Sequence, residues 1–81
     1  MTKKEVKVEW CKNFIKDVFK KHVPKGGGIY TECFWEMAER FGLWERGTYN
    51  TPMSKALEEL TKVEIVNGEN GEYMYAIFKL A

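Results

Sequence analysis

The stretch Thr51-Pro52-Met53-Ser54-Lys55-Ala56-Leu57-Glu58-Glu59-Leu60-Thr61-Lys62-Val63-Glu64-Ile65-Val66 changes periodicity part-way, and that change decides the fold. Met53, Ala56, Leu57 and Leu60 recur at spacings of three and four, which sets them on one stripe of a helix. Thr51 is a natural N-cap, and Pro52 stands at the first helical position, where its missing N–H costs nothing. Ser54, Lys55, Glu58 and Glu59 fall outward, and the helix is expected to reach about Lys62. Val63 to Val66 is rich in strand formers. Asn67-Gly68-Glu69-Asn70-Gly71 is dense in turn residues and Glu72 to Leu80 alternates, so the chain closes with a hairpin. With Lys79 in solvent, period two sends Met74, Ala76, Phe78 and Leu80 inward and Tyr73, Tyr75 and Ile77 outward. A slip of one residue would exchange the two sets.

Two further helices precede this segment. Trp10, Cys11, Phe14, Ile15, Val18 and Phe19 form the apolar stripe of a helix from Val8 to His22, ended by Pro24 and the Gly26-Gly27-Gly28 run. Ile29-Tyr30 reads as a single short strand. Thr31 is expected to cap a second helix, with Glu32 in its first turn and Tyr30 and Trp35 placed as a hydrophobic staple. Phe34, Met37, Ala38 and Phe41 make its buried stripe; Gly42 closes it in the left-handed conformation, and Leu43 packs back. Trp44 to Asn50 is a polar loop.

Eighty-one residues suffice for one domain, 1–81, of α+β class. A composition of 44% hydrophobic, 15% aromatic and 31% charged residues is globular, and the aromatic rings bury much area in a small interior. No apolar run is long enough for a transmembrane helix, and the charged start does not resemble a signal peptide. Cys11 and Cys33 fall in apolar helical patterns, where a free cysteine serves as a small hydrophobe in a reducing, cytoplasmic setting. The net charge of +1 is unevenly spread: residues 1–25 carry eight lysines against three acids, whereas residues 26–81 carry five cations against nine glutamates. The N-terminal part therefore attracts anions and the remainder repels them.

Helix, short strand, helix, helix, hairpin is the order of a winged helix. Met37-Ala38-Glu39-Arg40-Phe41-Gly42-Leu43 resembles the first half of a helix-turn-helix, with a small residue at the helix crossing and a glycine at the turn. Ser54 to Leu60, followed by Val63 to Val66, resembles the recognition helix and first wing strand of bacterial winged-helix regulators. The resemblance spans residues 8–80 and implies three helices plus a C-terminal hairpin. It departs in two places. The connection from Gly42 to Pro52 is longer by about five residues than the usual tight turn. The wing carries Glu69 and Glu72 with no Lys or Arg, where DNA-binding relatives commonly offer a basic residue to a phosphate.

The resemblance implies a binding protein: in first place a double-stranded DNA-binding transcriptional regulator or mobile-element accessory protein, and as the alternative a protein-interaction module acting as adaptor, inhibitor or homodimerisation element. For DNA the residues are Arg46, Tyr49, Asn50, Thr51, Ser54, Lys55 and Lys62, as phosphate and base-edge contacts. For protein they are Trp44, Tyr73, Tyr75 and Ile77. Lys12, Lys16 and Lys20 form a further stripe on the first helix, read first as a solvated face. Catalysis is not indicated: His22 is the only histidine and has no nucleophile partner in a known arrangement. Cys11, His22 and Cys33 lack zinc-ligand spacing, the glycine run lacks the Lys-Ser/Thr of a phosphate loop, and no cofactor, membrane or small-molecule substrate is expected.

Overall fold

The computed structural model describes residues 6–49, 51–67 and 74–81, and of Thr51 the backbone alone. Helix α1 is Val8–His22, strand β1 Gly28–Tyr30, helix α2 Thr31–Arg40, helix α3 Thr51–Leu60, strand β2 Thr61–Asn67 and strand β3 Met74–Leu80. The sheet is antiparallel with order β1-β3-β2, so the last strand lies in the middle. Among the described residues the result is an α+β arrangement of three helices and a three-stranded sheet.

Helix α1 has the bounds its apolar spacing predicts, and Lys20, Lys21 and His22 in its last turn complement the helix dipole. Cys11, Ile15, Val18 and Phe19 are its buried face, joined by Val23 just beyond its end. Trp10 is expected on this stripe but is 43% exposed near the helix start, with the Lys7 ammonium over its ring. Across the glycine joint, β1 meets β3 with Ile29 opposite Phe78. A Cβ on Gly28 would lie 2.9 Å from the Phe78 carbonyl oxygen, so only glycine allows this approach.

Thr31 does not cap α2. The helix begins at Thr31 itself, and Tyr30, still extended from its pairing with Ile77, occupies the cap position with no side-chain hydrogen bond. The expected staple is also replaced. The Tyr30 ring meets Tyr75, while Trp35 meets Phe34 and Trp44. The far end follows expectation. Gly42 has φ 74°, its N–H donates to the Glu39 carbonyl, and the Leu43 N–H donates to Ala38, a Schellman arrangement. Phe41, expected in the buried stripe, is 66% exposed because the chain turns off the core there, although its ring still packs on Phe14. Cys33, read as a small core hydrophobe, is exposed, since Phe34 takes the inward position beside it.

Helix α3 ends at Leu60, two residues earlier than its pattern predicts. Thr61 is already strand; its buried hydroxyl donates to the Leu57 carbonyl at 2.7 Å, and the Ala81 N–H donates to Leu60. These bonds satisfy carbonyls that a helix end leaves open, so the chain passes from helix to strand without a loop. Met53, Ala56 and Leu57 are buried, and Ser54, expected outward, is half-buried.

The core gathers around Phe34. Its fully buried ring lies 5.5 Å from Phe14 of α1 and 5.3 Å from Phe78 of β3, in tilted and edge-on geometries that favour aromatic pairs. Phe78 faces Val63 across the hairpin and Ala76 faces Ile65, so the strand phase agrees with the alternation. The depth does not. Phe78 is buried and Ala76 half-buried, but Met74 is 73% exposed and Leu80 is also exposed, because the helices cover only part of that sheet face. Tyr73 and the turn expected after Asn67 lie outside the described residues.

Phe34→Ala is expected to cost about 3–5 kcal/mol, a large share of the roughly 4–12 kcal/mol available to a chain of this length. Gly28→Ala, which overpacks β1 against β3, should cost about 1–3 kcal/mol. Urea titration followed by circular dichroism checks both.

Candidate binding surfaces

The loop after α2 has more structure than its polar composition suggests. Thr48 donates from its N–H and its hydroxyl to the Glu45 carbonyl, at 3.1 and 2.6 Å, and Gly47 between them has φ 87°. This is a tight turn with glycine at the position that requires positive φ. The Trp44 indole N–H closes it by donating to the Thr48 carbonyl at 3.1 Å. Trp44 is thereby held against Trp35 of α2, ring centroids 5.1 Å apart. The signal for this turn was present as Gly47 in Glu45-Arg46-Gly47-Thr48.

Between this turn, α2 and α3 lies a cleft of about 560 Å³. Trp35, Trp44 and Tyr49 supply its aromatic lining, and Glu32 and Glu36 its carboxylates; Arg46 and Ser54 also border it. Arg46 Nε stands 3.5 Å from a Glu39 carboxylate oxygen, with its guanidinium 5.8 Å from the Trp44 ring centre.

The residues expected to contact DNA are thus divided. Arg46, Tyr49 and Ser54 come together, but in a cleft that also holds two glutamates. Lys55 is exposed on α3. Lys62 lies elsewhere: it faces Lys79 across the hairpin, one residue out of phase with Val63 and Phe78, and so occupies the sheet face turned away from the core. Asn50 lies outside the described residues, as does the Thr51 side chain.

The residues expected at a protein interface separate as well. Trp44 belongs to the cleft, whereas Tyr75 packs on Tyr30 beside a second hollow of about 490 Å³ that Met74 and Cys33 also line. Ile77 is half-buried between Tyr30 and Glu64 in the strand register. The alternation reading missed a different apolar group. Val63 is 59% and Ile65 58% exposed, on the same sheet face as Phe78 and Met74. Their pattern is that of a buried strand face, and only the extent of the helical layer leaves them uncovered. Among the described residues no strand pairs with the outer edge of β2.

The lysine stripe of α1 is interrupted. Lys12 Nζ reaches a Glu59 carboxylate oxygen of α3 at 2.6 Å, tying the two helices at their exposed margin, while Lys21 pairs with Asp17 at 3.2 Å. The hydrogen bond from Lys12 and its charge, with a smaller contribution from Lys55, hold the Glu59 carboxyl below its usual range. Burial pushes the Cys11 thiol up, away from the reactive thiolate.

Comparison with known proteins finds no matching family model, no matching curated protein and no matching solved structure.

A carboxyl whose folded pKa is lowered contributes stability above its unfolded value, and that contribution is lost as pH falls through the folded value. Lys12→Ala should therefore return the Glu59 titration midpoint upward toward an ordinary carboxylate, as read by carbon NMR of its side chain. A midpoint unmoved by the substitution would show that Lys12 is not the cause.

Proposed function

We propose that this chain is a winged-helix protein-interaction module that self-associates through its C-terminal hairpin. The order of helices and strands, the Gly42 turn after α2 and the direct passage from α3 into β2 support the winged-helix reading. The observation that carries the function is the exposure of Val63, Ile65 and Met74 on the sheet face whose other end holds Phe78 in the core. Apolar side chains in strand geometry beside an open edge are a ready surface for strand addition.

A second copy of the chain suits that edge. Antiparallel pairing of β2 with β2 centred on Val63 sets Lys62 opposite Glu64 of the second copy twice over and brings the two Val63 side chains together. Within one copy Lys62 faces Lys79, a like-charge pair that Glu64 relieves through its 3.3 Å contact with Lys79. The second copy's Glu64 would answer the remaining lysine. The free thiols Cys11 and Cys33 accord with a cytoplasmic setting.

A second reading, a DNA-binding regulator or mobile-element accessory protein, is favoured by the exposure of Lys55 on α3. Its weight is less. Glu58 is exposed on the same helix, Arg46 is engaged by Glu39, and Lys62 lies on the far sheet face. Duplex affinity depends on concentrated positive charge, which this arrangement disperses.

Sedimentation equilibrium should find a dimer, and Ile65→Lys should give a folded monomer with an unchanged circular dichroism spectrum. A wild-type monomer at high concentration would end the self-association reading. Gel shifts at low ionic strength separate the alternatives: duplex binding abolished by Lys55→Glu in a folded protein would favour DNA instead.

A further inference from the structure

The cleft beside α2 has a chemistry that hairpin pairing does not use. We propose that it is a binding site for an arginine side chain presented by a partner polypeptide. Trp35 and Trp44 lie at 55° to one another with centroids 5.1 Å apart, and Tyr49, 82% exposed, extends the aromatic lining. Aromatic faces carry partial negative charge and attract a guanidinium, the most readily stacked of the protein cations. The cleft already shows this preference within the chain, since the Arg46 guanidinium lies over the Trp44 ring.

The carboxylates supply the rest. Glu32 and Glu36 both line the cleft, four residues apart on α2, and neither forms an ion pair among the described residues. Like charges at that spacing oppose helix formation, so a cation held between them removes a cost that the free protein carries. Glu32 is favoured by its place in the first helical turn, while Glu36, in mid-helix, lies beyond that effect and has Arg40 one turn on as its nearest cation in the helix. The positive charge of Arg46 at the rim is answered by Glu39, leaving the two glutamates as the cleft's charged groups without an ion pair among the described residues. Two carboxylates beside aromatic faces suit a planar cation that stacks and donates several hydrogen bonds at once. A compact, strongly hydrated lysine ammonium makes poorer use of both.

Among the described residues no hairpin residue lines the cleft itself, but Trp35 and Ser54 also border the hollow that Val63 and Phe78 line, so a variant that blocks self-association is needed to separate the two surfaces. The test uses the full chain, repeated on the Ile65→Lys variant, with a blocked Gly-Arg-Gly peptide as probe. Matched peptides carry lysine or citrulline, the neutral isostere of arginine. Indole N–H signals of Trp35 and Trp44, followed by nitrogen–proton NMR, should shift saturably with the arginine peptide, less with lysine and not with citrulline. Glu32→Gln combined with Glu36→Gln should weaken binding by about tenfold or more, since charge-assisted hydrogen bonds are lost. Equal shifts with citrulline, unaltered binding in the double variant, or shifts produced by duplex DNA but not by the arginine peptide would overturn the proposal.

Discussion

The structure depends on one ring. Phe34 is fully buried where α1, α2 and the central strand β3 converge, and it touches an aromatic ring from each of the other two elements. A chain of this length has little interior, so the large area of a few rings must offset the ordering entropy of the whole. Phe34 is able to reach Phe78 because β3 lies in the middle of the sheet, and Gly28 lets β1 close against β3 on the other side. Helix α3 completes the arrangement by packing on α1, with Met53 and Ala56 inside and the Lys12–Glu59 pair at the margin.

A core built around one point has a limited reach. The helices cover the hairpin near Phe78 and leave the outer part of the same face, Val63, Ile65 and Met74, in solvent. The turn at Gly47 holds Trp44 against Trp35 and leaves an aromatic cleft with two carboxylates. The exposed surfaces thus differ in chemistry: one is apolar strand, the other aromatic and acidic. Neither collects the positive charge that duplex DNA demands, which is why the proposed function centres on protein contacts.

Much of the fold was legible because periodicity reports local geometry. The bounds of α1, the left-handed Gly42 and the phase of β3 all follow from spacing and from the few residues that tolerate a particular backbone. What was not legible depends on neighbours far away in sequence. Thr31 reads as a cap, but the pairing of Tyr30 with β3 delivers the chain directly into the helix. Thr61 reads as helix until its hydroxyl finds the Leu57 carbonyl. Phe41, Trp10 and Cys33 carry the right apolar pattern and remain exposed, because a stripe can be longer or wider than the surface that covers it. Where the candidate residues lie relative to one another was likewise not legible from spacing. Arg46 and Lys62 count equally toward net charge, yet one is bound by Glu39 and the other lies across the sheet.

Native-state hydrogen exchange tests the central role of Phe34 most directly, because it reports the opening free energy of each backbone amide. If this ring joins the three elements, the interior amides of α1, α2 and β3 should share one highest opening free energy and exchange only by global unfolding. Amides of α2 that open at distinctly lower free energy than those of α1 and β3 would contradict it.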